Sequence, residues 1–319
     1  MAEVVCLGLL VADVFGSSLD SLPAAGELCL IDRYLVSVNG CAANTAADLR
    51  RLGRSPSVLG KVGEDLFGGF VRQDLQQLGI ETSFVKATPA YPTSCTFIVN
   101  VRGQDRRYIH CYGANAHFSI HDIDWKALDE ARALYVGGFL AMPAFRVEHL
   151  VQLLREAKRR GLITVLDVVI PAGTTPSLDE MGEAFAYTDV FLPNQDEARV
   201  LTSRIDPLEQ ADALARLAPN TTFVITLGEA GALARRGSEI LRAGAFKVDS
   251  VDESGSGDAF DAGFLVGMLE GWRLEDSLRF ASAVGASCTR ALGCHDGVFR
   301  FDEALAFISQ NHLQIETVA

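Results

Sequence analysis

Ala133-Leu134-Tyr135-Val136, Ile163-Thr164-Val165-Leu166-Asp167, Val190-Phe191-Leu192-Pro193 and Phe223-Val224-Ile225-Thr226 are short apolar runs rich in β-branched and aromatic residues. Longer segments of helical period lie between them, for example residues 147–160 and 208–217. Strands buried on both faces of a parallel sheet read as near-continuous hydrophobic runs, and the helix between two such strands supplies the crossover. The rhythm from about residue 130 onward therefore predicts an α/β fold with a doubly wound, mainly parallel sheet flanked by helices.

The first third of the chain has a different character. Residues 4–10 read as a buried strand, while residues 27–38 and 94–112 read as exposed strands of alternating polarity. Within residues 93–110 a hairpin is expected to turn at Arg102-Gly103-Gln104-Asp105, because glycine in a short polar break between β-rich runs marks a turn. These pieces predict a small β-sheet, formed by about residues 14–38 and 93–112, attached as a lid to one domain spanning residues 1–319. There is no internal repeat, low-complexity tract or long linker.

Composition narrows the function. The 319 residues are 49% hydrophobic and 22% charged, with 28 Lys and Arg against 41 Asp and Glu, a formal net charge of −13. Nucleic-acid partners are disfavoured, because phosphate-backbone binding needs clustered cations. No uncharged run reaches the roughly 18 residues of a membrane span. The seven cysteines are odd in number, scattered and never in a C-x-x-C pair, which argues against a disulfide framework or a zinc site. Glu3 stands where a signal peptide would carry positive charge, so a cytoplasmic protein with reduced thiols is expected. None of the six histidines has metal-ligand spacing.

The segment that carries chemistry is Asp252-Glu253-Ser254-Gly255-Ser256-Gly257-Asp258-Ala259-Phe260, which opens a stretch apolar nearly all round as far as Glu270. That is the pattern of a buried helix. Amide groups at a helix N-terminus, backed by the positive end of the dipole, bind anions, and glycines let the backbone approach a phosphate closely. Asp258 falls in the first turn, where the dipole favours an ionised carboxylate. Phosphoryl transfer needs positioning, charge stabilisation and a group that takes the hydroxyl proton, so Gly255, Ser256 and Gly257 are the candidate anion hole and Asp258 the candidate base. The competing reading is a loop with an N-capping acid. Neither G-x-x-x-x-G-K-[ST] nor a complete G-x-G-x-x-G occurs, which removes the main support for a P-loop or an NAD-dependent oxidoreductase.

Residues 252–260 resemble the C-terminal D-T-x-G-A-G-D-A-F signature of the ribokinase (PfkB) carbohydrate kinase family, with Glu253 and Ser256 departing from it. Asn39-Gly40-Cys41-Ala42-Ala43-Asn44 resembles the N-terminal G-G-x-x-x-N, with Asn39 in place of the first Gly. Asn best tolerates positive φ among non-glycine residues, so the turn is expected to survive. Gly60-Lys61-Val62-Gly63-Glu64-Asp65, Gly113-Ala114-Asn115, Asn194-Gln195-Asp196-Glu197 and Thr226-Leu227-Gly228-Glu229-Ala230-Gly231 follow in family order over nearly the whole chain. The resemblance implies a ribokinase-like fold and an ATP-dependent kinase acting on a hydroxyl of a small sugar or sugar-like substrate, with Asp258 as base.

It further implies that Asp13, Gly40 and Asn44 hold substrate hydroxyls, and that Asn194, Thr226 and Gly228 bind the nucleotide. Asn194 and Glu197 would hold Mg²⁺ largely through water, as hard Mg²⁺ prefers. Asp252 and Ser254 match positions around a monovalent-cation (K⁺) site found in many relatives, and the loop Gly293-Cys294-His295-Asp296 departs there. Each of these positions has a plain structural reading as cap, strand end or turn. Structure outweighs ligand binding for residues 60–65, and Arg106-Arg107 reads as a solvated hairpin face. Ribokinase carries Lys after its glycine pair and an acid after the strand matching Leu134; Cys41 and Gly138-Phe139-Leu140 stand here, so ribose is not favoured. A hexose, a keto-sugar acid and a nucleoside stay open, with Phe139 as an aromatic wall in the last case. Many relatives dimerise through lid strands, which makes a homodimer an expectation. A non-catalytic sugar or nucleotide sensor on the same fold is the reading from another class.

Overall fold

The computed structural model describes residues 2–104, 106–171 and 177–318. In chain order its elements are β1 (Val4–Gly8), β2 (Val11–Gly16), β3 (Tyr34–Asn39), α1 (Cys41–Arg51), β4 (Pro56–Gly63), α2 (Leu66–Gln77), β5 (Val85–Thr88), β6 (Cys95–Val99), β7 (Arg107–Cys111), β8 (Ala133–Gly137), α3 (Val147–Arg159), β9 (Ile163–Leu166), α4 (Leu178–Phe185), β10 (Val190–Phe191), α5 (Gln195–Thr202), α6 (Pro207–Leu217), β11 (Thr222–Thr226), β12 (Ala232–Arg236), β13 (Glu239–Ala243), α7 (Ser256–Leu269), α8 (Leu274–Cys288), α9 (Phe301–Gln310) and β14 (Ile315–Thr317).

The apolar runs form the centre of a ten-stranded sheet of order β14-β13-β12-β11-β10-β9-β8-β1-β4-β5. From β5 to β11 neighbouring strands are parallel, and β12, β13 and β14 add an antiparallel edge. Side chains alternate across the sheet, so each strand feeds two cores. Leu134, Val136, Leu166, Phe191 and Phe223 pack with α3, α4, α5 and α6. Ala133, Tyr135, Val165, Val190 and Val224 pack with α1, α2, α7, α8 and α9. α7 lies against both α1 and α8, which buries its Ala259, Phe260, Phe264, Leu265 and Val266 and accounts for its lack of a polar face. Full burial of a side chain such as Phe264 contributes roughly 2–3 kcal/mol, so α7 is held firmly along its length.

The strand expected over residues 4–10 is two strands in two sheets. β1 ends at Gly8, and the chain crosses over to begin β2 at Val11. Leu10, at the crossing, exchanges its backbone bonds with a side chain: Asn115 donates from Nδ2 to Leu10 O (2.9 Å), and Leu10 N–H donates to Asn115 Oδ1 (3.3 Å). Asn115 is therefore a buried stitch between the sheets.

The second sheet has the order β3-β2-β6-β7, with β2 and β6 parallel and the outer pairs antiparallel. Of the strand expected over residues 27–38 only the last part pairs; Leu28 and Leu30 are outside any strand and exposed. Arg102 and Gly103 lie in the expected turn, and Asp105 lies outside the described residues. Among the described residues, no helix is long and apolar enough to cross a membrane.

Candidate active site

The turn over residues 252–257 delivers the chain into α7. Gly255, the residue before the helix, has φ +77°, and a Cβ there would lie 2.6 Å from Cys294 Cβ, so glycine is required. Gly257 is exposed, and no atom lies within 4 Å of where its Cβ would be, so the first turn of the 14-residue helix opens to an incoming group. Its early amides point that way without intrahelical acceptors.

Asp258 lies in this first turn, and Asn44 Nδ2 donates to its Oδ2 at 2.8 Å from the buried face of α1. α1 starts where it does because Gly40 has φ +103°, and a Cβ there would lie 2.4 Å from Leu9 O. Asn39 does not take positive φ as expected: it ends strand β3 in extended backbone, and Gly40 alone makes the turn. The family's first glycine is dispensable here because the demanding φ falls one residue later.

Around Asp258 the fold gathers other acids. Asp167, just past the end of β9, accepts from Gly138 N–H (3.1 Å), and ligand atoms of Cys41, Asp167 and Asp258 lie within 4.8 Å of one another. One helical turn on, Asp261 accepts from Tyr135 OH (3.0 Å). Burial pushes the half-buried Asp258 up to about 6, against hydrogen bonds from Asn44 and Cys41. Burial also lifts Glu197 to about 7, opposed by bonds from Asn194 and reinforced by the Asp258 charge. Asp167 and Asp261 are pushed well above the carboxylate range, first by burial and then by neighbouring carboxylates. The Cys41 thiol is likewise raised by burial and the acids around it, which keeps it protonated.

Asn194 and Glu197 form the capping box of α5, with Asn194 N–H donating to Glu197 Oε2 and Glu197 N–H to Asn194 Oδ1, both at 2.9 Å. This cap stands beside the acid cluster, since Glu197 also feels the Asp258 charge. Asn194 bridges to Thr226 at the end of β11, and Gly228 follows with φ +58°, so the three residues expected at the nucleotide lie side by side at the carboxyl ends of β10 and β11. Open α/β sheets bind ligands at that edge.

Asp252 anchors the turn. Its Oδ1 accepts from Ser254 N–H (3.0 Å), and its Oδ2 from Gly293 N–H (3.3 Å). Arg106 corrects the expectation of a solvated hairpin face: its Nη1 donates to Asp252 Oδ1 (2.9 Å) and Ser254 Oγ (3.0 Å), tying the small sheet to the turn ahead of α7. Burial alone would raise Asp252, but the bonds from Ser254, Gly293 and Arg106 outweigh it and hold it low. Arg107 does stay on the exposed face, against Gln104.

Asp13 sits in β2, buried, with no hydrogen-bond partner for Oδ1; the Oδ1 atoms of Asn39 and Asn44 are buried and unpartnered in the same way. Burial raises Asp13, against hydrogen bonds from Thr96 and Asn39. Phe139 is buried in the core against Phe145. Within residues 60–65, Asp65 caps α2 and accepts from Thr93 N–H (2.7 Å). Asp167, Thr96 and His110 are not singled out by the sequence, and Asn39 only as a turn residue. An acid just past a parallel strand was the available sign for Asp167; the other three follow only from register.

A family model described as pfkB family carbohydrate kinase matches residues 1–298. The chain is similar to a ribokinase of Haemophilus influenzae, 26% identical over 292 residues that cover 89% of this chain and 91% of that protein. It is also similar to a 5-dehydro-2-deoxygluconokinase of Clostridium perfringens, at 28% identity with 88% and 85% covered. Among solved structures, Arabidopsis thaliana ribokinase complexed with ribose and ATP matches with a TM-score of 0.82 at 24% identity, over 96% of this chain and 98% of that one. With the match running from β1 through the turn before α7 and on past α8, the chain belongs to the pfkB family of carbohydrate kinases.

Proposed function

We propose that this protein transfers the γ-phosphoryl group of ATP to a hydroxyl of a small sugar or sugar-like substrate, with Asp258 as the base. The observation that carries the reading is the Asp258 carboxylate in the first turn of α7, oriented by Asn44 at 2.8 Å beside the open Gly257. The substrate O–H donates to Asp258; as the new O–P bond forms and the bond to ADP breaks, the proton passes to the carboxylate. The residues 255–257 face the transferred group with helix-terminal amides, which stabilise its charge. A pKa of about 6 leaves Asp258 largely ionised near neutrality and still able to take a proton.

The residues fit a divalent cation, because the Asp258 charge raises both Asp167 and Glu197, and Glu197 raises Asp167, by repulsion that a cation relieves. Asn194 and Glu197 would hold Mg²⁺, which supplies charge neutralisation to the nucleotide phosphates. Asp13, Gly40 and Asn44 are assigned to substrate hydroxyls, and Asn194, Thr226 and Gly228 to the nucleotide. K⁺ behind the turn at Asp252 and Ser254 is a finer part of the reading. So is the role of the small sheet as a lid excluding water from the transfer. Its exposed Tyr34, Leu35, Phe97, Tyr108 and Ile109 support a second copy of this chain as the partner that covers it, in a cytoplasmic homodimer. The test is coupled ADP release with MgATP across pentoses, hexoses, sugar acids and nucleosides, with and without K⁺. Release that depends on a sugar supports the kinase; ligand binding with no release across the panel overturns it in favour of a sensor.

A further inference from the structure

Strand register sets Ser37, Asp13, Thr96 and His110 side by side across the small sheet, one residue from each of β3, β2, β6 and β7. Directly paired residues project to the same face. Asp13 and Thr96 are buried, while His110 lies at the open edge. Thr96 Oγ1 lies 3.0 Å from His110 Nδ1, and strand register sets the Asp13 carboxylate beside Thr96, whose donor, with that of Asn39, holds it down against burial. Asn39 Nδ2 donates to Ser37 Oγ (3.2 Å), closing the strip on its other side.

The direction of these bonds follows from counting protons. A carboxylate only accepts, and the bond it receives is the stronger, charge-assisted one, so the single Thr96 hydroxyl proton goes to Asp13. Thr96 oxygen then accepts from His110, which makes Nδ1 the protonated nitrogen and leaves a lone pair on Nε2. Partial burial lowers the pKa of His110 and keeps the ring neutral, and the Tyr112 ring meets it edge-on at 4.9 Å. The strip thus offers acceptors: Nε2 of His110 and the unpartnered Oδ1 atoms of Asp13 and Asn39, with Asn44 Oδ1 one turn into α1. A buried acceptor left without a donor is destabilising, and a ligand carrying donors relieves it.

We infer that this strip is a donor-selecting subsite that takes a neutral, hydroxyl-rich substrate and rejects a carboxylate, with His110 and Asn39 as specificity-determining residues. The inference rests on the kinase reading for the reaction and goes beyond it in choosing among the substrate classes. An acid substrate would set its carboxylate against Asp13 and the three other acceptors, whereas a polyol gives each one a proton.

The test uses the purified full chain with MgATP, neutral pentoses, hexoses and ketoses, and the sugar acids matched to them in carbon number. Wild type is expected to prefer the neutral member of each pair at least tenfold in kcat/KM. For the best neutral substrate, His110→Ala is expected to raise the sugar KM about tenfold with the ATP KM unchanged, while His110→Gln, which keeps an acceptor, restores most of the loss. Asn39→Gly is expected to raise the same KM. Preference for the acids, or a sugar KM that His110→Ala and Asn39→Gly leave alone, overturns the inference. Silence of wild type towards every acceptor is instead a failure of the kinase reading; the same sugar pairs in calorimetry then decide the subsite, with neutral sugars expected to bind and acids not, and the reverse order overturning it.

Discussion

Asp258→Asn should make the protein more stable and nearly inactive, and the two effects should separate with pH. Burial lifts the Asp258 carboxyl from 3.8 to about 6. At 1.36 kcal/mol per pKa unit, carrying its charge in the folded state costs about 3 kcal/mol. The folded pKa of this acid is raised, so the cost is fully present above pH 6, shrinks between 6 and 3.8, and is gone below 3.8. The carboxamide keeps the shape, and its oxygen still accepts from Asn44 Nδ2. Thermal unfolding at pH 8 is therefore expected to shift upward by several degrees in the variant, and at pH 4 by little. A carboxamide cannot take the substrate proton, so single-turnover transfer of ³²P from labelled ATP should fall by about 10²–10⁴-fold. Transfer near the wild-type rate would remove Asp258 as base. An unfolding midpoint at pH 8 that drops or stays level would show that its charge is not borne at a cost, and the reasoning about the buried acids would fail with it.

The pH profile of kcat/KM should fall on its acid side with a limb near pH 6, owned jointly by Asp258 and Glu197, and higher Mg²⁺ should move the limb to lower pH; a limb insensitive to Mg²⁺ would detach the cation from these carboxylates. Arg106→Met removes a guanidinium from the buried Asp252 carboxylate, and a loss of about 1.5–3 kcal/mol in stability with a roughly tenfold lower kcat is expected, partly restored by Arg106→Lys. Melting curves and steady-state rates check it, and no change in either would show that the small sheet is not tied to the turn. Gly255→Ala forces a non-glycine residue to φ +77° and drives its Cβ to within 2.6 Å of Cys294 Cβ. The strain and overlap together should cost about 2–5 kcal/mol and raise the ATP KM, and an unaltered melting curve would contradict the geometry.

Much of this architecture is legible in the chain because it follows from local pattern. The runs at residues 133–136, 163–166, 190–191 and 223–226 are strands because they are short and apolar on both faces, and α7 is buried because no side of it is polar. The acid in its first turn and the glycines before it follow from helix-end chemistry. The same local reasoning misjudged residues 4–10, where periodicity cannot show a chain leaving one sheet for another and only Asn115, 105 residues away, satisfies Leu10 at the crossing. It also assigned the turn's positive φ to Asn39, although the steric demand falls on Gly40 against Leu9.

Local sequence alone specifies the four central strands, the class of fold and the glycine-and-acid turn that opens α7, since each depends on residues within a turn or two of one another. Which groups meet depends on packing: Asn44 with Asp258 across 214 residues, Arg106 with Asp252 across 146, Asp167 and Glu197 with Asp258, and the row from Ser37 to His110. Charge repulsion, desolvation and hydrogen-bond direction act over a few ångströms of space regardless of separation along the chain, so the pKa of Asp258 and the acceptor character of the strip come into being only when the sheets and helices have packed.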